Sequence, residues 1–583
     1  MTLPAPAESQ PALRASSREA GFHHNLGVKL WAAGAPRSAL HHFERAARQE
    51  PANLDFLFAL CRCREAIGDF RRALPGFQTI ARQLPHVAKA HYHLAECLLH
   101  TSNFSRAIES FERCLSLDPK NRVAAHNAAY CYVRLGGHQR AMHYYRLALR
   151  DPDYVMAHSS LLHTLHYTPG IPPADIFREH RQWARRHAAK LAVARAFKRD
   201  TPYGRGGGVL RIGYVSADFR MHPVSFFIEP ILKHHRRSRF AVHCYSNVED
   251  PDSVTRRIRS QADSWVDVSR LSDKDASDRI LEDRIDILVD LSGHTAGNRL
   301  LVFARKPAPV QVTYLGYSGT TGLDRIDYRI TDRWADPIGE SDAFYTEKLV
   351  RLPTGFSCYG PSARSPRVLS LPAVRNGHIT FGSLNNRAKI NHRVIECWRA
   401  ILDRVPNSKL LLKNFSTASK DDREHLIQEF GRNGIRRNRL IIRKPLLSHA
   451  EHLRLYNEID IALDTFPYNG HTTTCEALWM GVPVVTLAGC TPVARVGVSL
   501  LSRIGLAGFV AESEPDYVNL AAETASNLEV LRGLRRDLRR RMSSSTLTDA
   551  PRFTRALEKA YEQMLYSQYA GAALGTAKSR CRI

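Results

Sequence analysis

The sequence predicts a multidomain protein: an all-α superhelix of helical repeats, followed by an α/β region of two doubly wound, Rossmann-like lobes. Three observations lead there. A period of 34 residues runs through the first part of the chain. The pattern then changes to short Val/Ile/Leu runs alternating with helical stretches, as parallel sheets covered on both faces require. Those runs fall into two series, and a chain of 583 residues is too long for one hydrophobic core.

The repeats come first. Pro51, Pro85 and Pro119 stand 34 apart, and Pro152 follows 33 later. Ala39, Ala73, Ala107 and Ala141 keep the step of 34, each followed four residues on by Phe43, Phe77, Phe111 or Tyr145. Gly34, Gly68 and Gly136 share it, with Ser102 in the gap. A small residue lets two helices approach, the aromatic one turn later fills the groove, and proline closes the unit. The pattern resembles the tetratricopeptide repeat, with about four units over 20–165. Such stacks form a superhelix whose concave face suits an extended peptide, although a scaffold without that role would carry the same pattern. Residues 1–19, without an apolar signal core, are expected to be a disordered leader.

A helical linker is expected over 166–208, from the Thr168–Pro173 turn to Gly204-Arg-Gly-Gly-Gly208; no Lys-Ser or Lys-Thr follows those glycines, so they are not read as a phosphate loop. Candidate strands of the first lobe, 209–365, are Leu210–Val215, Ala241–Tyr245, Ile285–Leu291 and Val310–Leu315. Those of the second, 366–568, are Ile379–Gly382, Lys409–Lys413, Leu440–Ile442, Ile459–Leu463 and Val484–Leu487. A disordered basic tail is expected over 569–583.

Charge and cysteine usage narrow the class. Net charge is +26, from 83 basic and 57 acidic residues, which draws polyanions at low salt. The basic run Arg535 to Arg541 reads as a solvated helix face, and no aromatic-basic interleaving marks a nucleic-acid platform, so nucleic-acid binding is expected only non-specifically. The eleven cysteines, several inside apolar patterns, predict reduced buried thiols and a cytoplasmic protein. Cys61 and Cys63 lack the spacing and the second pair of a zinc site. Asp250-Pro-Asp252 and Asp273-Lys-Asp275 match the short DxD metal motif but read as solvated turns, and no metal is expected. No apolar run is long enough for a membrane span.

The segment Asp464 to Pro483 carries the chemistry. A strand ends at Asp464, Pro467 to Gly470 turn, and Thr472 to Thr474 supply an N-cap and first turn for a helix to Met480. Free N–H groups and the helix dipole suit a diphosphate there, with His471 and three hydroxyls as added donors, and Glu476 could accept from ribose hydroxyls. An ordinary capped helix is the plain alternative.

The segments YVSADFRMHPVSFF, IDILVDLSGHTAGNRL, KPAPVQVTYLGYSGTTGLDRIDYRITD, FGSLNNRAKI and DTFPYNGHTTTCEALWMGVPVVTLAG are similar to the O-linked N-acetylglucosamine transferase and SPINDLY family over residues 20–568. The resemblance implies a GT-B fold and metal-independent, inverting transfer of a sugar to protein Ser/Thr, with the acceptor in the repeat groove. It implies that His222 lines the pocket as a candidate base, that Lys389 binds the departing diphosphate, and that Asn386 is a polar donor-site residue. It places His452 on the nucleotide base, His471, Thr472 and Thr473 on the diphosphate, Glu476 on the ribose and His294 in the sugar pocket. FGSLNNRAKI, GHTTTCEA and TTGLDRIDYRITD resemble the branch that uses GDP-fucose, and His222-Pro223 and Gly470-His471 the branch that uses UDP-N-acetylglucosamine. UDP-N-acetylglucosamine is the favoured donor; His449 and Leu447 depart from some relatives beside the base. A degenerate, non-catalytic repeat scaffold is the alternative outside enzymes.

Overall fold

The structure is a computed structural model that describes residues 10–191, 208–413, 418–445 and 448–580, with side chains from 17 to 569. Leu447, most of the glycine run at 204–208 and the extreme ends lie outside the described residues. The chain divides into two compact units: residues 1–150 with 415–426, and residues 151–414 with 427–583.

The first unit is four antiparallel helix pairs: α1 (Gln10–Ala32) with α2 (Pro36–Gln49), α3 (Leu54–Ala66) with α4 (Phe70–Gln83), α5 (Ala88–His100) with α6 (Phe104–Leu117), and α7 (Arg122–Arg134) with α8 (His138–Ala148). The periodic positions explain it. Ala39, Ala73, Ala107 and Ala141 are fully buried, and the aromatic one turn later is buried at each step. Gly34, Gly68 and Gly136 have φ of 77°, 82° and 81°, the left-handed conformation that ends the first helix of each pair. Ser102 adopts the same conformation, with φ of 59°. The N-cap Asn103 gives α6 no side-chain cap; Asp422 accepts the N–H groups of Phe104 and Ser105 instead, both at 2.9 Å.

The expected leader is helical from Gln10 onward, because α1 supplies the partner of α2. The array also ends earlier than 165: α9 (Val155–Leu165) and α10 (Pro173–Trp183), on residues expected as last repeat and linker, belong to the second unit. Ser159 bonds His294 at 3.2 Å, and Trp183 is fully buried against the same ring.

The second unit holds two all-parallel sheets. The first orders β3-β2-β1-β4-β5-β6-β7, from β1 (Leu210–Ser216), β2 (Phe240–Ser246), β3 (Ser264–Asp267), β4 (Ile287–Asp290), β5 (Val310–Thr313), β6 (Tyr328–Thr331) and β7 (Lys348–Arg351). The second orders β10-β9-β8-β11-β12-β13, from β8 (Thr380–Ser383), β9 (Lys409–Lys413), β10 (Leu440–Arg443), β11 (Ile461–Leu463), β12 (Val484–Leu487) and β13 (Val510–Ala511). Central strands are buried on both faces, β4 and β5 without an exposed position, which is why their sequences read as continuous apolar runs.

The chain passes from the first lobe to the second through residues 352–371. The final helix, Ala550–Arg580, then returns to the first lobe, a correction both to the second-lobe boundary of 568 and to the disordered tail. Its fully buried Glu558 accepts from Arg236 N–H at 2.8 Å and Nε at 2.7 Å and pairs with His235 at 3.2 Å. At the junction the Tyr359 N–H donates to the Leu547 carbonyl at 2.7 Å, tying the two crossing segments together. No described helix is long and apolar enough to cross a membrane. Nine of the ten described cysteines are buried, all ten are unpaired, and Cys490 alone among them is exposed.

Candidate active site

Ligands of doubly wound sheets sit beyond the carboxyl ends of the strands. Three such ends carry the predicted residues. β1 ends at Ser216 and its loop bears Asp218 and His222; β8 ends at Ser383 and leads to the short turn Arg387–Lys389; β11 ends at Leu463 and leads through Asp464 to the helix Thr472–Trp479.

Asp464 builds the third loop. Its buried carboxylate accepts N–H groups from Thr465 at 2.9 Å and Gly470 at 2.6 Å and the Thr486 hydroxyl at 2.8 Å. Burial raises its pKa to about 6. Asn469 pins the same loop from the other side, donating to Thr465 O at 3.0 Å and accepting from Gly497 N–H at 3.2 Å. Gly470 is a place only glycine fits: a Cβ there would stand 2.4 Å from Thr473 Oγ1 and 2.9 Å from Asn385 Oδ1. The helix N-cap is His471, one residue earlier than the expected threonines, and it makes no side-chain cap. Thr473 is turned aside, donating to Asn385 Oδ1 at 2.8 Å, and Thr472 is half-buried on the first turn.

Lys389 reaches this loop. Its Nζ donates to the Asn469 carbonyl at 2.7 Å and lies 4.4 Å from the Tyr468 ring centroid. Burial lowers its pKa to about 8, against the pull of Asp464. The ammonium is therefore held by the residue two before the N-cap His471 and three before the first helical residue, Thr472.

His471 joins the lobes. Its ring stacks on Phe227 of the first lobe at 4.1 Å, and Nε2 meets Ser357 Oγ at 3.0 Å. Burial, then Lys389 and Arg503, lowers its pKa to about 3. His222 stands five residues before Phe227. Its Nδ1 lies 3.4 Å from the Asp218 carboxylate and 3.4 Å from Val224 N–H, and burial, with Arg220, lowers its pKa to about 4. Asp252 holds this loop by accepting Met221 N–H at 2.7 Å; both DxD motifs lie at helix starts, Asp252 capping Ser253–Arg259 and Asp275 within the first turn of Asp273–Glu282.

Glu476 is buried and already partnered: His452 Nε2 at 2.9 Å, Tyr456 hydroxyl at 3.4 Å and His449 Nδ1 at 3.6 Å. His452 Nδ1 in turn lies 3.1 Å from Lys413 Nζ. His449 packs 4.8 Å from Phe226, so this cluster also spans the lobes. Among the described residues no group of three or more His, Cys, Asp or Glu is placed to hold a metal ion.

Two predicted residues make other contacts. Asn386 is exposed, and its side chain accepts Ala388 N–H at 3.2 Å, shaping the turn that carries Lys389. His294 is buried, bonded to Ser159 at 3.2 Å and to the Thr321 carbonyl at 2.9 Å and packed 4.7 Å from Trp183. The sequence reading missed Asp464, Asn385, Tyr468 and His163. His163, on α9, stands 6.1 Å from the Tyr468 ring, and burial, then the Lys389 charge, lowers its pKa to about 4.

Helical repeats and two parallel-sheet lobes in the GT-B manner define the class: a two-lobed transferase architecture. A family model described as Glycosyl transferase family 41 matches residues 158–361 and 367–557, and two tetratricopeptide repeat models match 30–75 and 62–122. The chain belongs to glycosyl transferase family 41. Proteins named probable UDP-N-acetylglucosamine--peptide N-acetylglucosaminyltransferase SPINDLY from Oryza sativa subsp. japonica and Arabidopsis thaliana are 41% identical over 418 residues and 40% over 422. Each alignment covers 71% of this chain and 45% of the relative, so the chain spans less than half the length of these relatives. A solved structure of a Thermobaculum terrenum O-GlcNAc transferase mutant matches with a TM-score of 0.80 at 35% identity, covering 90% of this chain and 99% of that one.

Proposed function

We propose that the protein transfers N-acetylglucosamine from UDP-N-acetylglucosamine to Ser or Thr hydroxyls of polypeptides, with inversion and without a metal ion. One observation carries the reading: the Lys389 ammonium is bonded at 2.7 Å to the carbonyl of Asn469, in the loop that leads into the helix Thr472–Trp479. The names of the relatives support the donor and the acceptor class.

The acceptor hydroxyl attacks the anomeric carbon as the bond from that carbon to the diphosphate oxygen breaks. The electron pair leaves with the nucleotide, and Lys389 and the first-turn N–H groups meet the growing negative charge. His222 is neutral near pH 7, and in the tautomer whose Nδ1–H faces the Asp218 carboxylate at 3.4 Å it is Nε2 that accepts from the hydroxyl. Held near pKa 4, it orients the hydroxyl by accepting its hydrogen bond, and the hydroxyl proton passes on to an oxygen of the departing diphosphate. The pair His452–Glu476 borders the nucleotide, and the repeat groove receives the acceptor chain.

The test is transfer to a serine peptide from UDP-N-acetylglucosamine and, in parallel, from GDP-fucose. Lys389→Ala is expected to lower transfer by about 10²–10³-fold with little change in Tm; full activity in a folded Lys389→Ala protein would end the leaving-group role. EDTA is expected to leave the rate unchanged, and loss restored by manganese would reverse the metal assignment. Faster transfer of fucose would reassign the donor.

A further inference from the structure

The loop 464–470 is held at its backbone and left loose at one side chain. Thr465 Oγ1 donates to the Tyr468 carbonyl at 2.8 Å, and Asn469 N–H donates to the Val493 carbonyl at 2.9 Å. The Tyr468 hydroxyl, by contrast, makes no hydrogen bond to any described residue. Its half-buried ring nevertheless has a charge to hold, because Lys389 Nζ lies 4.4 Å from the ring centroid. An ammonium is drawn to the face of an aromatic ring, so the attraction depends on how the ring is turned. With no hydrogen bond at the hydroxyl, ring contacts decide that orientation.

Those contacts come from the end of α9. Tyr167 stacks on Tyr468 with ring centroids 4.9 Å apart and planes inclined by 27°. His163 stands 6.1 Å from the same ring. Tyr167 is itself firmly placed. It is buried, and its N–H donates to the Thr164 carbonyl at 3.1 Å. The next residue closes the helix end, with Thr168 N–H on the Leu165 carbonyl at 3.2 Å and Thr168 Oγ1 on the Thr164 carbonyl at 3.0 Å. The Tyr167 hydroxyl meets His163 Nε2, one turn back on the helix, at 3.2 Å. Leu161 and Leu162, both fully buried, root α9 in the core.

Lys389 depends on this chain of contacts more than an exposed lysine would. Burial works against its charge, so each favourable contact of the ammonium counts. Two such contacts are the Asn469 carbonyl at 2.7 Å and the Tyr468 ring. A Tyr468 ring released from its stack gives up the second. The flexible four-carbon stem of lysine then leaves the ammonium free to turn away.

We propose that Tyr167 is a positioning residue for the nucleotide diphosphate: by stacking on Tyr468 it fixes the ring against which the Lys389 ammonium is set. The inference rests on the reading of Lys389 as the cation that binds the diphosphate. The test is nucleotide binding by the full-length protein, which needs no acceptor. Whichever of UDP and GDP binds the unaltered protein more tightly is titrated by calorimetry at physiological ionic strength, with Tm recorded for every variant. Tyr167→Leu is expected to raise its Kd about fivefold, the size of effect that losing one aromatic pair gives. Tyr167→Phe keeps the stacking face and should stay within about twofold of the unaltered protein. In Lys389→Ala, adding Tyr167→Leu should change Kd no further, because the group it positions is gone. A merely structural tyrosine would weaken binding by the same factor in both backgrounds. Tyr167→Met is the second truncation, read in the same way, should the Leu variant fail to fold. Equal losses with and without Lys389, a loss below twofold in Tyr167→Leu, or a Phe variant as weak as the Leu variant overturns the positioning role alone. Failure of both nucleotides to bind the unaltered protein, or undiminished binding by Lys389→Ala, overturns the reading of Lys389 and the inference with it.

Discussion

Lys389 carries its charge where burial opposes it, and the balance is held near neutrality. A pKa lowered to about 8 means the ammonium dominates at pH 7 and is lost as pH rises. Because kcat/KM reports the free enzyme, kcat/KM for the donor should fall by about tenfold per pH unit above pH 8. The anionic donor favours the charged lysine, so the alkaline limb of kcat should lie at higher pH. An alkaline limb that persists in Lys389→Ala would assign it to another group. On the acid side, His222, His163 and His471 stay neutral down to about pH 4, 4 and 3, so none of them should give a limb near pH 6.5. The residues legible in the sequence were those inside long contiguous motifs. His163 was hidden because it lies on a helix that reads as the last repeat, and Asp464 because its work is done by backbone bonds that no motif spells out. Asn386 and His294 lie inside two of those motifs, and in the structure Asn386 accepts Ala388 N–H while His294 meets Ser159.

At the scale of elements, two turns show how tightly the backbone is specified. Ser102 occupies a left-handed position that glycine fills in three sister repeats. That conformation costs an L-residue roughly 1–2 kcal/mol, partly offset by the greater freedom glycine loses on folding. Ser102→Gly is expected to stabilise the repeats by about 0.5–1 kcal/mol, read as a higher denaturant midpoint at constant slope; a lower midpoint would mean that the hydroxyl matters more than the backbone. Gly470 is the opposite case. Its conformation is permitted to any residue, but a methyl group meets Thr473 and Asn385 at the helix start. Gly470→Ala is expected to cost about 1–3 kcal/mol in stability and to weaken donor binding, measured by denaturation and by donor titration. The strands follow the same logic of local against remote information. β4, β5 and β9 are fully or centrally buried, and their apolar runs show it. β3 (Ser264–Asp267) and β7 (Lys348–Arg351) are edge strands with mixed residues and only partial burial, and β13 has two residues, so hydropathy alone could not find them.

Across the whole molecule, a nucleotide that binds only the folded chain must raise its melting point. UDP at about 100 times its Kd is expected to add about 2.7 kcal/mol, a rise of a few degrees in the catalytic transition, with GDP giving less. Equal shifts from both would remove the preference for uridine. The net charge of +26 adds a salt-dependent attraction for any polyanion, so the comparison belongs at physiological ionic strength. The returning helix gives the cleft its mechanics. Two strands of chain cross between the lobes side by side, laced by the Tyr359–Leu547 bond. A doubled joint of this kind flexes about one line and resists sliding. Displacement in such a rotation grows with distance from the line, and His471 is bonded to Ser357 on the joint itself. His471 therefore sits where a rotation of one lobe against the other would displace it least, and the Lys389 loop beside it would keep its geometry through such a rotation.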